Sequence, residues 1–527
     1  MPWQGKKRFS GPFRERHLVD SGASPVLPAL PSFPRPDSLH DRHIQTRWTW
    51  WVSMRVSFFS AGLVLLAALG AWGGASLHAD EVSAETDGAV EEAQYLEESL
   101  THRDPEQEAM IQDLVDQAVA ARLAGIPRPR YIPATDIAPP AGLILNHSTQ
   151  GFPFSVAMNG FMQLRWLEFA RSAKSWTNSA GEVLPINNIN TFNLNRVLLS
   201  FSGHVVDERL VYRAALFGTS DMGVRSAFVP LGTVGWQFSE AATLAGGVTI
   251  VPSSREWVDG QPWTVGVDRS MTNTFFRPGY SPGTFFVGSL ADKTVNYQAG
   301  VWNAIDGGQA GVLRKGTSMA WAGNTWWEPL GPFGLGYSDM ENRDDAVVRY
   351  GISGTYARTQ AIIFPGLNPE DTIVRLSDGT PLALKDALGE GSTLNQYQFQ
   401  LATVDAGWKY RGFAVNFEYY FRLLNGFVGT GTFERSSVYD HGGLGYVSWC
   451  FVPRTYEVYA RSSALTGPYG TGQEYGGGFN WYVNESRQGR FTIEALTMNR
   501  NPAQNILYPY RAGYSGTAIQ TQFMMAF

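Results

Sequence analysis

The sequence predicts an all-β fold: a closed antiparallel transmembrane β-barrel of about 16 strands, preceded by a short helical and linker segment. Three observations carry that expectation. The first is strand alternation that persists to the last residue. In Gly489-Arg-Phe-Thr-Ile-Glu-Ala-Leu496, Phe491, Ile493 and Ala495 share one face, and Arg490, Thr492 and Glu494 share the other, because side chains on a strand alternate with period two. The second is composition. Charged residues make up 17% of the chain, with 57 Gly and 13% aromatics; soluble domains carry about 25% charge, and barrels need turns and interfacial aromatics. The third is an export-like segment ahead of the strands.

That segment opens at Met54. Arg55 supplies a basic n-region and Phe58 to Leu69 an apolar run too short to span a bilayer. Small residues follow, with a cleavage point at Ala79. Residues 54–79 are thus expected to be a signal peptide, and the Pro- and Arg-rich residues 1–53 a disordered extension or a mis-assigned start. Residues 80–124 are acidic and helix-prone: Ile111, Leu114, Val115 and Ala118 recur at helical spacing. Residues 125–140 form a Pro-rich linker.

From 141 to 527 the pattern is strands and turns. Phe161 to Glu168, Asn193 to Gly203, Val211 to Phe217, Val295 to Asn303, Ala346 to Ile352, Gln396 to Trp408, Phe413 to Arg422 and Leu444 to Phe451 each alternate. At roughly 24 residues per strand and loop, this stretch holds about 16 strands, a size class that leaves an aqueous lumen. Thr317 to Arg343 and Gly366 to Ser392 are too long for turns and are expected to be extracellular or pore-constricting loops.

Composition also excludes classes. A net charge of −6 with no basic aromatic-interleaved run argues against nucleic-acid binding. A single cysteine, Cys450, forbids an intrachain disulfide and a Cys metal cluster. The 8 His show no metal-motif spacing, and there is no Gly-x-Ser-x-Gly elbow. Neither a catalytic residue nor a cofactor or metal ligand is therefore expected, and the chain reads as a non-enzyme.

Tyr446-Val-Ser-Trp-Cys-Phe-Val-Pro-Arg-Thr-Tyr-Glu-Val-Tyr-Ala-Arg461 resembles a hairpin of the phosphate-selective porin O and P family. Gly476-Gly-Gly-Phe-Asn-Trp-Tyr-Val-Asn484 resembles that family's Gly-rich strand. Phe192 to Gly203 is similar to an early strand, and Val267-Asp-Arg-Ser270 to its acidic-Arg-Ser segment. The family's dense series of Arg and Lys does not align here. The resemblance implies an outer-membrane porin, exported and usually trimeric, surrounded by outer-membrane lipid. It implies passive diffusion of small hydrophilic solutes through a water-filled barrel, with anions such as phosphate as permeants. It also implies that Phe527 is read by the barrel-insertion machinery. The alternative is a non-conducting structural or adhesive barrel.

Strand parity gives the candidate pore-lining residues: Arg165, Arg196, Arg213, Arg349, Glu418, Arg422, Glu457 and Arg461. Each alternates with apolar neighbours. Arg or Lys facing lipid near the midplane would cost about 2–4 kcal/mol, which favours the inward face. Trp408, Tyr410, Tyr419, Trp449 and Tyr482 are expected to form interfacial aromatic girdles.

Overall fold

A computed structural model of the chain describes residues 143–148 and 154–527, apart from 222–224, 261, 306–316, 362–372 and 506–508. The expected extension, signal peptide, acidic helix and linker (1–53, 54–79, 80–124 and 125–140) lie outside the described residues.

Among the described residues nineteen strands follow one another: β1 (Leu143–Ser148), β2 (Phe154–Arg171), β3 (Ser175–Thr177), β4 (Val183–Pro185), β5 (Ile189–Val205), β6 (Asp207–Asp221), β7 (Arg225–Ser239), β8 (Ala242–Ile250), β9 (Tyr280–Leu290), β10 (Val295–Trp302), β11 (Ala320–Trp327), β12 (Val347–Gln360), β13 (Thr393–Tyr410), β14 (Phe413–Thr430), β15 (Ser437–Val452), β16 (Tyr456–Gly467), β17 (Gly470–Tyr482), β18 (Gly489–Asn499) and β19 (Gly516–Ala526). β2 and β5 to β19 pair with their chain neighbours, and β19 returns to β2, closing a 16-strand antiparallel barrel. In that seam Gly516 faces Arg171 and Ala526 faces Phe161. Closure leaves no open edge, the condition for a sheet to sit in lipid. β1 continues the β2 edge where β19 stops, and β3 and β4 form a small hairpin of their own.

Alternation is clearest in β14. Phe413, Val415, Phe417 and Phe421 are exposed, whereas Ala414, Asn416, Glu418, Tyr420 and Arg422 are buried. The outward set is the wrong surface for water and the right one for hydrocarbon. Aromatics cluster on it: Phe413 stacks on Trp449 with centroids 5.1 Å apart. Trp408 and Trp449 point outward as expected, but Tyr482 does not. It is 2% exposed and bonds inward to Glu457, because Trp481 takes the outward position of that strand.

The connections sort by length. At one end they are short: Val206 alone, Arg411-Gly412, 453–455 and 483–488. At the other end most are long: 172–188, 251–279, 361–392 and 500–515. Barrels of this kind keep short turns on the periplasmic side. One connection breaks the rule. Residues 328–346 join β11 to β12 at the short-turn end. The expected irregular stretch Thr317 to Arg343 is therefore corrected: strand β11 occupies its first half, and only the remainder is irregular. Ala320, Ala322 and Gly323 are too small to give a strong apolar signal, so the strand was hidden.

Candidate functional site: a polar bore filled from both ends

The inward wall is rich in charge, and two inserted segments meet it. Residues 251–279 enter from the long-loop end and carry two short helices, α1 (Arg255–Val258) and α2 (Met271–Phe276). Ser254 caps α1 by accepting from Trp257 N, and Ser270 caps α2 by accepting from Asn273 N. These caps satisfy amides that the short helices cannot.

Side chains of this segment key into the wall. Asp268 accepts from Arg196 at 2.7 Å and lies 3.5 Å from Arg165. Asp259 pairs with Arg255 at 3.0 Å and with Arg349 at 3.1 Å. Glu256 accepts from Ser270 N and Oγ at 3.0 and 2.6 Å, and from the Tyr446 hydroxyl. Burial pushes the Glu256 carboxyl above its ordinary range, against those hydrogen bonds. Burial acts the same way on Asp259, but Arg349 and Arg255 outweigh it and hold that carboxyl below the usual range. Trp257 lies between two guanidinium groups, Arg269 at 4.6 Å and Arg277 at 4.3 Å from its ring centroid.

Residues 328–346 enter from the opposite end. The segment's tip, Phe333 and Gly336 to Met340, is buried, while Leu330, Asp344 and Asp345 near its base are exposed. Its carbonyls take the wall's donors. Lys409 Nζ donates to Phe333 O at 3.2 Å and Leu335 O at 3.1 Å, and Asn416 Nδ2 donates to Tyr337 O at 2.8 Å. Arg454 N reaches Met340 O at 3.1 Å, and Gly412 N reaches the Asp339 carboxylate at 2.8 Å. The two segments meet at Arg255, whose guanidinium lies over Tyr337 at 4.3 Å and Phe333 at 4.8 Å. Gly407 makes room for this meeting: a Cβ there would stand 2.7 Å from both Arg255 Nη1 and the Phe333 ring.

All eight parity-selected residues point into the barrel. Glu418 accepts from Glu256 N at 2.8 Å, Tyr337 OH at 3.0 Å and Tyr420 OH at 2.8 Å. Arg422 holds Asp440 at 2.7 Å and donates to Arg375 O and Phe275 O. Glu457 accepts from Asn480 at 2.9 Å and Tyr482 at 2.7 Å. Arg461 donates to Asp268 O at 2.6 Å and lies 3.5 Å from both Glu474 and Glu494. Arg165, Arg196, Arg349, Glu418, Arg422, Glu457 and Arg461 are all buried, so the water-filled lumen expected around them is occupied by protein in this structure. Arg213 is the half-buried member. It donates to Ser200 at 3.1 Å and lines a small cavity with Leu231, Thr233, Ile250 and Tyr280.

Sequence reasoning missed the partners: Asp259, Lys409 and Asp440 carry no local motif, only strand parity on β13 and β15 could have turned up the last two, and Asp268, though inside the Val267–Ser270 segment singled out above, was given no partner there. It also missed a Ser–His contact. Ser155 Oγ lies 2.9 Å from His204 Nδ1, and the same oxygen accepts from His204 N at 3.1 Å. Both residues are buried at adjoining strand ends, where the pair closes the backbone edge of β2 against β5. Among the described residues no group of three His, Cys, Asp or Glu could hold a metal.

No protein-family model matches the sequence, and no curated relative matches it. Several solved structures are similar to it in fold. An anion-selective porin from Comamonas acidovorans has a TM-score of 0.45 at 12% identity, over 71% of this chain and 99% of the other. OmpT, an outer membrane protein of Vibrio cholerae, has a TM-score of 0.43 at 11% identity, over 73% and 99%. The outer membrane channel DcaP of Acinetobacter baumannii has a TM-score of 0.41 at 10% identity, over 73% and 100%.

Proposed function

We propose that this chain is a bacterial outer-membrane channel of the porin type, exported through residues 54–79 and passing small hydrophilic solutes without a cofactor. One observation carries the reading: a closed barrel with an apolar exterior sets many ionisable and amide side chains on its interior wall, among buried apolar ones such as Phe399, Leu401 and Leu444. A bore meant to stay dry is more cheaply filled with apolar residues, because buried ion pairs rarely repay their desolvation. A polar wall fits water.

Anion passage, with phosphate as a permeant, is the finer form of this proposal. It is supported by the guanidinium cluster at Asp268, where Arg165 and Arg196 share one carboxylate and Arg461, itself beside Glu474 and Glu494, takes its backbone carbonyl. Assembly as a homotrimer in outer-membrane lipid belongs to the same proposal and is checked by chemical cross-linking in detergent. The filled bore favours a second reading, a non-conducting structural barrel. Planar-bilayer recording in a KCl gradient separates the two. Conductance with an anion-directed reversal potential, reduced by phosphate, supports the first proposal in full. Conductance without that preference leaves a general porin. Silence under all voltages favours the structural barrel.

A further inference from the structure

Two of the segments that fill the bore differ in how they could leave; residues 373–392 and 500–515 reach in beside them, where Arg422 donates to Arg375 O at 2.7 Å and Arg461 to the Tyr510 hydroxyl at 2.8 Å. Residues 328–346 contain three glycines at positive φ, Gly331 at 99°, Gly334 at 75° and Gly336 at 65°, with Asn342 at 53°. These backbone angles suit glycine, and the buried anchors are confined to the tip, at Phe333, Tyr337, Asp339 and Met340. The segment's carbonyls at Phe333, Leu335, Tyr337 and Met340 accept from wall donors, and its side chains add the Tyr337 hydroxyl to Glu418, the Asp339 carboxylate to Gly412 N, and Ser338 and Glu341 to Arg487. Among the described residues, the bonded partners of Lys409 are carbonyls rather than carboxylates. Withdrawing 328–346 would therefore leave Lys409, Asn416 and Glu418 facing water, where each is readily solvated, and would split no ion pair between segment and wall except Arg487 with Glu341 at the half-exposed rim.

Residues 251–279 are held differently. Removing them would strip Asp268 from Arg165 and Arg196, and Asp259 from Arg349. The cost of leaving buried charges unpaired is high.

We propose that residues 328–346 form a removable gate on the short-turn side of the barrel, shutting the bore against the fixed segment 251–279 and opening it by swinging out. This proposal rests on the channel reading above. The fold itself supplies the means to test it. The chain's one cysteine, Cys450, packs against Met340 of the gate. Met340→Cys therefore puts a second thiol into the buried cluster that holds Cys450, where a disulfide, once verified by mass spectrometry, would tie the gate to the wall.

Two variants are recorded in planar bilayers, each first shown to be a folded barrel by heat-modifiable migration on a gel. In the first, residues 329–345 are replaced by a two-residue Asn-Gly turn. Steady conductance is expected to rise several-fold over the unaltered chain. The second is Met340→Cys, recorded oxidised and then with dithiothreitol. Opening events are expected to vanish when oxidised and to return on reduction, and Met340→Cys with Cys450→Ser is expected to ignore the reductant. Equal conductance of the deleted and intact chains overturns the gate while leaving the channel standing. So does an oxidised Met340→Cys, with its disulfide verified by mass spectrometry, that opens as often as the reduced form. Silence of every variant overturns both the gate and the channel.

Discussion

Two of the segments that fill the barrel are fastened by different chemistry. Residues 251–279 present carboxylates to wall arginines: Asp268 to Arg165 and Arg196, Asp259 to Arg349. Residues 328–346 present backbone carbonyls to wall donors, and most of their turns are made by glycine. The difference teaches which filling belongs to the scaffold. A buried charge pair is weak evidence for net stability, yet breaking one side of it is expensive. A carbonyl bond is exchanged for water at small net cost. The first segment is therefore locked by the penalty of its absence, and the second is merely parked.

The comparison can be broken by measurement. The largest effect is expected from Asp268→Ala. Two guanidinium groups stay buried without their carboxylate, and the barrel should lose about 3–5 kcal/mol, read from the urea midpoint in detergent micelles. A loss below about 1 kcal/mol would remove the contrast. Lys409→Met should cost less, about 1–3 kcal/mol, because two carbonyl acceptors lose a charged donor; single-channel recording should show more frequent openings. Tyr337→Phe deletes one of three donors to Glu418, for about 1 kcal/mol, and differential scanning calorimetry should show a correspondingly small downward shift. The smallest effect is expected from Arg487→Ala. Its partner Glu341 is 43% exposed in its side chain, and the pair, at 2.9 Å, sits at the rim. A change below about 1 kcal/mol, shrinking further in high salt, is expected.

Much of the barrel was legible because its information is local. In Phe413 to Arg422 every second residue is apolar, and the strand and its inward face follow from parity alone. The limits are local too. Ala320-Trp-Ala-Gly-Asn-Thr-Trp-Trp327 puts alanine and asparagine inward and so shows no polar–apolar contrast; β11 was invisible as a strand. The strands read at Asn193 to Gly203 and Val211 to Phe217 leave residues 204–210 between them, but Val206 alone makes the turn, at φ 69°. The site was legible by half. Parity placed Arg196 and Arg461 on the inner face, yet nothing near either residue in sequence announces Asp268, 72 residues from the first and 193 from the second. Residues 251–279 owe their shape to wall groups far along the chain, such as Glu418 and Tyr446. No window of sequence contains both partners.

The seam between β19 and β2 has a kinetic consequence. It joins Gly516 to Arg171, residues more than three hundred positions apart, whereas the pairings from β2 through β5 to β19 run between consecutive barrel strands. The entropy of bringing those strands together grows only with the logarithm of the loop, but it is repaid in a single step when the last ladder zips. Until then two full-length edges stand open, each able to template pairing with another chain. Assembly is thus slow at its final event and most exposed to aggregation just before it, and the ring that results unfolds only by parting a strand pair along its whole length.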